Sequence, residues 1–509
     1  MKKLSPKEHY QHLRKRSCEE LWTEDVPAFD RTEGADRVAQ VGIIRAVGVV
    51  FSETGTPAQR EQARQWLRPL LRDPAEKVRR YAMAALPKLG ADEQEEAELL
   101  ALLERPASGR EKAFLGRTLE KIGGAATVDT LADAGLHRTA QKAAANFARR
   151  ETPGAVRLDA PLEDIRDVRI HLHIRSGLER ILEDELHEKA ASFRPLGATR
   201  GLVAIAPTRP FTLADIHALR TFSTASLALG TVPRRGAAPP VDALAAIIAS
   251  PLARRMFAAF TEGPIRYRLE FVSKGHQRSA VRALGNRVYE LAPRLLNDSR
   301  DALWQVDIHE IPAGWSVELT PRLRPDPRFA YRRRDVPAAS HPPLAACMAR
   351  LAGPGARDVV WDPFCGSGLE LIERGLRGGV ARFIGTDLST EAIAITRENL
   401  ASAGLDGIPA TLAAADFRDH TTIEALRPGA VSLIITNPPL GRRVPIPNLA
   451  ELIGDLFAAA ESVLAPGGRL VFVNPLSVKP VGRGLRAEFR ERIDLGGFHC
   501  HLEKYVKAR

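Results

Sequence analysis

Cysteine is scarce in this chain: four in 509 residues, at positions 18, 347, 365 and 500. Spread so widely, they build neither a disulfide framework nor a paired-thiol metal signature, and they suit a reducing cytoplasm. Long apolar runs are missing too. No stretch approaches the roughly 18 residues that span a bilayer, so no membrane segment is expected. The amino terminus, Met1-Lys2-Lys3-Leu4-Ser5-Pro6-Lys7, has no apolar core after its lysines and does not read as a signal peptide. Histidines occur, but His171, His173, His217 and His276 lack the helical spacing and acidic company of a zinc site. They are expected to be exposed strand histidines, and no metal is assigned.

What is present is ordinary in bulk and skewed in charge. Hydrophobic residues make up 44% and charged residues 27%, as in soluble globular proteins. The length allows about three or four domains. With 73 basic and 62 acidic residues the net charge is +11. That sign favours a polyanionic partner, because lysine and arginine neutralise phosphates whatever the base sequence.

Residues 1–35 are polar and read as an irregular segment. From 36 to 153 the pattern is helical throughout, with helices opened by Thr56-Pro57 and Asp73-Pro74 and stopped by Gly90 and Gly123-Gly124. The run Leu70-Leu71-Arg72-Asp73-Pro74, then Val78-Arg79-Arg80, Ala82, Ala85 and Leu89-Gly90, resembles a HEAT repeat. Such a module supplies surface for a protein or ribosomal partner instead of chemistry.

An α+β region of mixed pairing occupies 165–321. Strands are predicted at 168–174, 201–206, 265–272, 304–308 and 315–319, with helical patterns at 211–222, 241–261 and 278–291. A connector at 322–356 carries Arg322, Arg324, Arg328, Arg332, Arg333 and Arg334 with Phe329 and Tyr331. Arginines interleaved with aromatic rings suit a phosphate track with a stacking residue.

From 357 to 509 the rhythm becomes strand, helix, strand. Strands near 358–362, 381–386, 410–415, 431–436 and 469–474, with helices near 369–377, 389–403 and 449–464, predict a doubly wound, Rossmann-like parallel sheet. A hairpin turning at Gly496-Gly497 closes it. In Asp362-Pro363-Phe364-Cys365-Gly366-Ser367-Gly368 the two glycines allow close backbone passage to a ligand. An acid there repels pyrophosphate but pairs with a cationic amino-acid end. Asp387 ends the second strand, where it can accept from ribose hydroxyls. Asp416 ends the third and can accept from an adenine amine while Phe417 flanks the ring. The cofactor read from these residues is S-adenosylmethionine. Asn437-Pro438-Pro439-Leu440-Gly441 follows the fourth strand. The Asn437 amide oxygen and the Pro438 carbonyl can accept both hydrogens of a conjugated amine, turning its lone pair toward a methyl donor.

Asp362 to Gly368 and Asn437 to Gly441 together resemble the cofactor loop and catalytic tetrapeptide of class I amino-methyltransferases, and within them the THUMP-domain RNA guanine methyltransferases. Ser176-Gly177-Leu178-Glu179-Arg180-Ile181-Leu182 is similar to the opening of that family's α+β region, and Arg328 to Arg332 with Val336 to Leu351 is similar to its lead-in. The resemblance covers about 165–509, so the helical amino-terminal region lies outside it. It implies a THUMP-like RNA-binding domain at 165–321 and a class I methyltransferase domain at 357–509. It also implies that Asp362, Phe364, Gly366, Gly368, Asp387, Asp416 and Phe417 hold S-adenosylmethionine. Asn437, Pro438, Pro439 and Leu440 would hold the target amine. Arg328, Tyr331, Arg332, Arg333, Arg334, Arg442 and Arg443 would contact RNA.

The family has an aromatic residue after Asn-Pro-Pro, where this chain has Leu440. Base stacking is worth roughly 1–3 kcal/mol, so another ring must compensate or base holding weakens. The reading is an enzyme that methylates an exocyclic amine in structured RNA, guanine in rRNA or tRNA. Alternatives are a DNA adenine or protein glutamine substrate, or a non-catalytic RNA or ribosome-assembly factor with a relic site.

Overall fold

The computed structural model describes residues 6–91, 93–105, 107–124, 126, 127, 130, 147, 153–189, 191–234, 239–272, 277–298, 301–337, 339–441, 447–476 and 484–508. The chain divides into two compact units, Met1–Pro153 and Gly154–Arg509. No single described helix is long and apolar enough to cross a membrane.

The first unit is helical, and its order begins earlier than the sequence suggests. Residues 1–35 do not read as helix, yet Pro6–Leu13, Cys18–Glu20, Leu21–Asp25 and Val26–Asp30 are all helical. Ser17 and Glu20 form a reciprocal capping box, and Leu13, Leu21, Val26 and Phe29 are buried. Four core residues spread over seventeen positions show no period, so only their burial reveals the helices. Further on, Gly42–Thr54 packs against Glu76–Ala85, which packs against Gly109–Ile122. Gly48 permits the first contact, since a β-carbon there would meet that of Ala85 at 2.7 Å. Ion pairs cross between helices: Arg79 with Glu111 at 2.6 Å, and Arg68 with the buried Glu95 at 2.7 Å.

Among the described residues of the second unit the chain first builds ten strands. They are β1 (Ala155–Val156), β2 (Ile170–His173), β3 (Phe193–Thr199), β4 (Leu202–Pro207), β5 (Thr224–Pro233), β6 (Thr261–Glu262), β7 (Ile265–Val272), β8 (Leu295–Asn297), β9 (Trp304–Ile311) and β10 (Gly314–Pro321). β1 pairs with β6, and the other eight form one sheet in the order β3-β4-β2-β5-β10-β9-β7-β8. Pairing is mixed: β7 runs parallel to β8 and β9, and the remaining neighbours are antiparallel.

Three sequence expectations fail here. The helical pattern at 211–222 yields only Leu213–His217. The pattern at 241–261 is two helices, Val241–Ile248 and Pro251–Phe260, because Pro251 starts a new helix capped by Ser250. β3 and β5 were not foreseen. β3 carries Pro195 and Gly197, tolerated because it lies at the sheet edge. β5 is small and ambiguous in composition, and is held as strand by partners on both sides.

The catalytic candidate region adds β11 (Asp358–Asp362), β12 (Val380–Asp387), β13 (Ala410–Ala414), β14 (Val431–Thr436), β15 (Leu464–Asn474), β16 (Leu485–Asp494) and β17 (His499–Lys507). Their order is β13-β12-β11-β14-β15-β17-β16. The first five are parallel and β17 runs antiparallel to both neighbours. Parallel strands are covered on both faces. Val431-Ser432-Leu433-Ile434-Ile435-Thr436 is accordingly buried at five of its six positions.

The two regions share one hydrophobic core that runs from Leu162 to Leu502. The predicted connector is part of it. The helix Pro342–Ala352 is almost wholly buried against the helix Leu369–Leu376 and strands β14 and β15. Gly177 has φ +96°, and a β-carbon there would meet the Arg492 carbonyl oxygen at 2.2 Å, so only glycine lets β16 approach this turn.

Candidate active site

A cleft of about 1210 Å³ opens at the carboxyl ends of β11 to β14, where open α/β sheets place their ligands. β11, β12 and β14 end in the polar residues Asp362, Asp387 and Thr436, Asp416 follows β13, and the glycine loop bridges the first two. Gly366 and Gly368 have φ of +52° and +83°, values that side chains disfavour. The loop is held from below and behind. Asp362 Oδ1 accepts from the Phe364 amide at 3.0 Å and from Thr436 Oγ1 at 2.6 Å, joining the ends of β11 and β14. Asp387 Oδ2 accepts from the Gly366 amide at 3.0 Å and its Oδ1 from the Ser389 amide at 2.9 Å.

Among the predicted cofactor residues, Phe364, Gly366, Asp387, Asp416 and Phe417 line the cleft. Phe364 and Phe417 pack ring to ring with centroids 4.8 Å apart. Asp416 caps the short helix after β13 and pairs with Arg418, which Asp455 grips at 2.6 Å. Asp362 and Gly368 sit differently from the expectation. Both are buried behind the cleft wall. Asp362 Oδ2 is enclosed without a partner, and burial, with Glu370 close by, pushes the carboxyl well above its usual range.

The fourth strand delivers Asn437, Pro438, Pro439 and Leu440 to the same cleft. Asn437 Nδ2 donates to Ser340 Oγ at 2.8 Å, whereas its Oδ1 is buried with no partner. Buried polar atoms are nearly always paired, so a lone acceptor here marks a place for a donor.

The arginine track separates into different fates. Arg328 is not an RNA contact: it is buried, paired with Asp326 at 2.7 Å, and donates to the Phe222 carbonyl at 2.7 Å. Tyr331 is buried too, its hydroxyl donating to Glu373 at 2.6 Å. Both serve the core because acceptors distant in sequence, the Phe222 carbonyl for Arg328 and the Glu373 carboxylate for Tyr331, meet them there. Arg332 pairs with Asp335 and reaches the cleft wall. Arg333 bonds Ser402 through Nε at 3.1 Å, and Arg334 pairs with Glu391 at 3.0 Å, both on exposed surface. Arg442 and Arg443 lie outside the described residues, as does His276.

The strand histidines are not free either. His171 and His173 each bond Glu318 at 2.7 Å, and Ser226 adds a third bond at 2.6 Å. They face one another only because β2 and β10 flank β5.

Several cleft residues were not foreseen. Ser340 and His341 precede the lead-in helix, and burial drives the His341 imidazole down to about 4, leaving it neutral. Leu388 is 77% exposed beside Asp387. Leu495, Gly496 and Phe498 reach in from the β16–β17 turn. Glu370 had a readable signal, a carboxylate inside the apolar run Leu369-Glu370-Leu371-Ile372.

Residues 330–480 match the family model described as UPF0020: RMKL-like, methyltransferase domain. A tRNA (guanine(10)-N2)-dimethyltransferase of Methanothermobacter thermautotrophicus is 35% identical over 141 residues, which is 27% of this chain and 39% of that relative. A probable tRNA (guanine(10)-N2)-dimethyltransferase of Methanothermococcus thermolithotrophicus is 30% identical over 165 residues, 32% of this chain and 94% of the relative. The crystal structure of TrmN from Thermus thermophilus aligns with TM-score 0.54 at 22% identity, over 67% of this chain and 99% of that one. At that identity the likeness concerns the fold.

Proposed function

Since this chain belongs to the RMKL-like methyltransferase family, we propose that it uses S-adenosylmethionine to methylate an exocyclic nucleobase amine in structured RNA, with guanine in tRNA or rRNA as substrate. The observation that carries this is the Asn437 amide, whose Oδ1 stands buried and unpartnered at the end of β14. Asn437 belongs to the lining of the cleft that Asp387 and Asp416 also line.

The cofactor contributes an electrophilic methyl on a sulfonium that departs as a neutral thioether. The donor set suits it. Asp387, its carboxylate fixed by two backbone amides, offers remaining lone pairs to ribose hydroxyls. Phe364, Phe417 and Leu388 supply flat apolar surface for a purine, and Asp416 an acceptor for its amine. On the substrate side, Asn437 Oδ1 and the Pro438 carbonyl draw the two amine hydrogens away from the direction of attack. Holding that geometry before the substrate arrives is where the rate gain comes from. The target base must leave its stack to enter such a cleft. Leu440 provides no ring, and Phe498, which lines the cleft from the β16–β17 turn, supplies one beside the base.

The region before the cleft acts as a THUMP-like RNA-binding domain, with Arg332, Arg333 and Arg334 guiding phosphates toward the site. The helical unit, read as HEAT-like, offers a surface to a protein or ribosomal partner. The enzyme works in the cytoplasm. Tritium transfer from labelled cofactor to RNA lacking the modification is the test. Incorporation that Asn437→Ala abolishes supports the reading. Transfer confined to DNA or to a protein glutamine would move the substrate, and calorimetry without cofactor binding would end it.

A further inference from the structure

Among the described residues three arginines line the cleft, Arg175, Arg332 and Arg418. Two of them hold an acid: Arg332 pairs with Asp335, and Arg418 with Asp416 and Asp455. Arg175 is half-buried, its Nε is enclosed without a partner, and no described carboxylate forms an ion pair with it. Its Nη1 reaches the Asp494 carbonyl at 3.5 Å, longer than the roughly 2.7–3.2 Å of a well-made bond. The Asp494 carboxylate is engaged elsewhere, accepting from the Gly497 amide at 2.6 Å. A guanidinium has donors and no acceptor, and enclosed donors cost free energy until something accepts from them. Arg175 therefore brings to the cleft wall donors that the protein leaves unsatisfied.

The backbone fixes where this arginine stands. It follows β2 in the turn Arg175-Ser176-Gly177, and the Ile174 amide just before it donates to the Gly201 carbonyl at 3.0 Å. The Ser176 carbonyl accepts from the Asp494 amide at 3.1 Å, and the Ser176 hydroxyl from Arg200 Nε at 2.6 Å. Gly177 packs on the Arg492 carbonyl, as described above. The turn is thus tied to the end of β16, and Leu495, Gly496 and Phe498 just beyond it line the same cleft. A guanidinium held in place before the substrate arrives loses little freedom on binding it.

Resting on the amine-methylation reading, we propose that Arg175 is a specificity-determining residue that binds the O6–N7 edge of a target guanine while Asn437 holds its 2-amine. The 2-amine of guanine stands between N1 and N3, so O6 and N7 are left for a second wall of the cleft. Arginine matches that pair of acceptors with two parallel bonds. Adenine carries an amine where guanine has O6, and a group made only of donors gains nothing from it. A backbone phosphate is the other acceptor of matching geometry. The half-buried position of Arg175, in a cleft that Leu495 and Phe498 also line, favours a base, which brings apolar faces along with its acceptors. The sheet region before the connector then helps to choose the base as well as to hold the RNA.

The test is methyl transfer from labelled S-adenosylmethionine by the full chain to unmodified tRNA and rRNA transcripts, with the methylated position mapped and cofactor binding followed by calorimetry. At the mapped position guanine is then replaced by 2,6-diaminopurine, which keeps the 2-amine but has an amine in place of O6. Wild type should lose roughly 5- to 150-fold in kcat/KM on that replacement, the scale of one bidentate arginine–guanine pair. Arg175→Met, which keeps an apolar stem, should lose about as much on the guanine transcript and no longer distinguish the two bases, so the two losses do not add. Its cofactor Kd should stay within about twofold of wild type. A wild type indifferent to the replacement, or one that methylates an adenine amine, would overturn the inference. So would a variant that loses equally on both bases, as for a phosphate contact, or one whose cofactor Kd weakens, as for a cofactor ligand. If Arg175→Met fails to fold by circular dichroism, Arg175→Ala carries the same comparison. A wild type without transfer to any RNA refutes the parent reading, whereas an active wild type with an indifferent variant refutes only this one.

Discussion

Glu373 should be the side chain whose loss most weakens the Gly154–Arg509 unit. It sits on the helix Leu369–Leu376 with its side chain 2% exposed, and accepts from Arg220 Nε and Nη2, both at 2.8 Å. The Tyr331 hydroxyl adds a third bond at 2.6 Å. Arg220 belongs to the sheet region before β5, so one carboxylate ties that region and the connector to the catalytic helix. Glu373→Ala strands a mostly buried guanidinium and a buried phenol. Breaking a buried pair by removing one partner costs about 3–5 kcal/mol. Arg220 keeps its bond to the Arg328 carbonyl at 2.7 Å, which argues for the lower half of that range. Tyr331→Phe should cost only about 1 kcal/mol, since it removes a single hydrogen bond. Replacing both charges, as in Glu373→Leu with Arg220→Met, should recover most of the loss, because apolar packing competes well with buried ion pairs. Urea unfolding followed by tryptophan emission reads this, with Trp304, Trp315 and Trp361 in the affected unit and Trp22 and Trp66 in the helical one. A loss below about 1 kcal/mol for Glu373→Ala, or a double variant no better than the single one, would show that the network carries no such weight.

Asp387→Ala removes the acceptor for ribose and the support of the Gly366 amide. A charged hydrogen bond contributes about 1.5–3 kcal/mol, so cofactor Kd should rise roughly 10- to 150-fold by calorimetry, and an unchanged Kd would remove Asp387 from the site. Leu440→Phe should lower KM for RNA about fivefold or more with cofactor Kd unaltered, if the added ring stacks on the base; an unchanged KM would assign stacking to Phe498. Glu318 gives a pH dependence. Burial alone would raise its carboxyl, but hydrogen bonds from His171, His173 and Ser226 hold it below the usual range. Its contribution is therefore present above the unfolded value of 4.5 and lost as pH falls below it. Urea titrations of wild type and Glu318→Gln should converge in acid, and parallel acid slopes would contradict the assignment.

What the sequence determined by itself were the features written in neighbouring residues. The strands β11 and β12 are short runs ending in Asp362 and Asp387, β14 is an apolar run followed by Asn437, and the loop between the first two is marked by its glycines. Period, breaker residues and strand ends are local properties, so the succession of strands, glycine loop and helices in this half of the molecule was legible. Tertiary structure alone decided which charged and aromatic residues face outward. Arg328 and Tyr331 read as RNA contacts, yet Phe222 and Glu373, far away in the chain, draw them into the core. His171 and His173 read as solvated until β10 brings Glu318 across β5 to meet them. β5 itself became a strand through its two partners. At the site, Asn437 was visible as a motif, but its amide is held by Ser340, 97 positions earlier. A side chain's exposure and a hydrogen's direction are set by all the groups within a few ångströms, and folding draws those groups from distant parts of the chain.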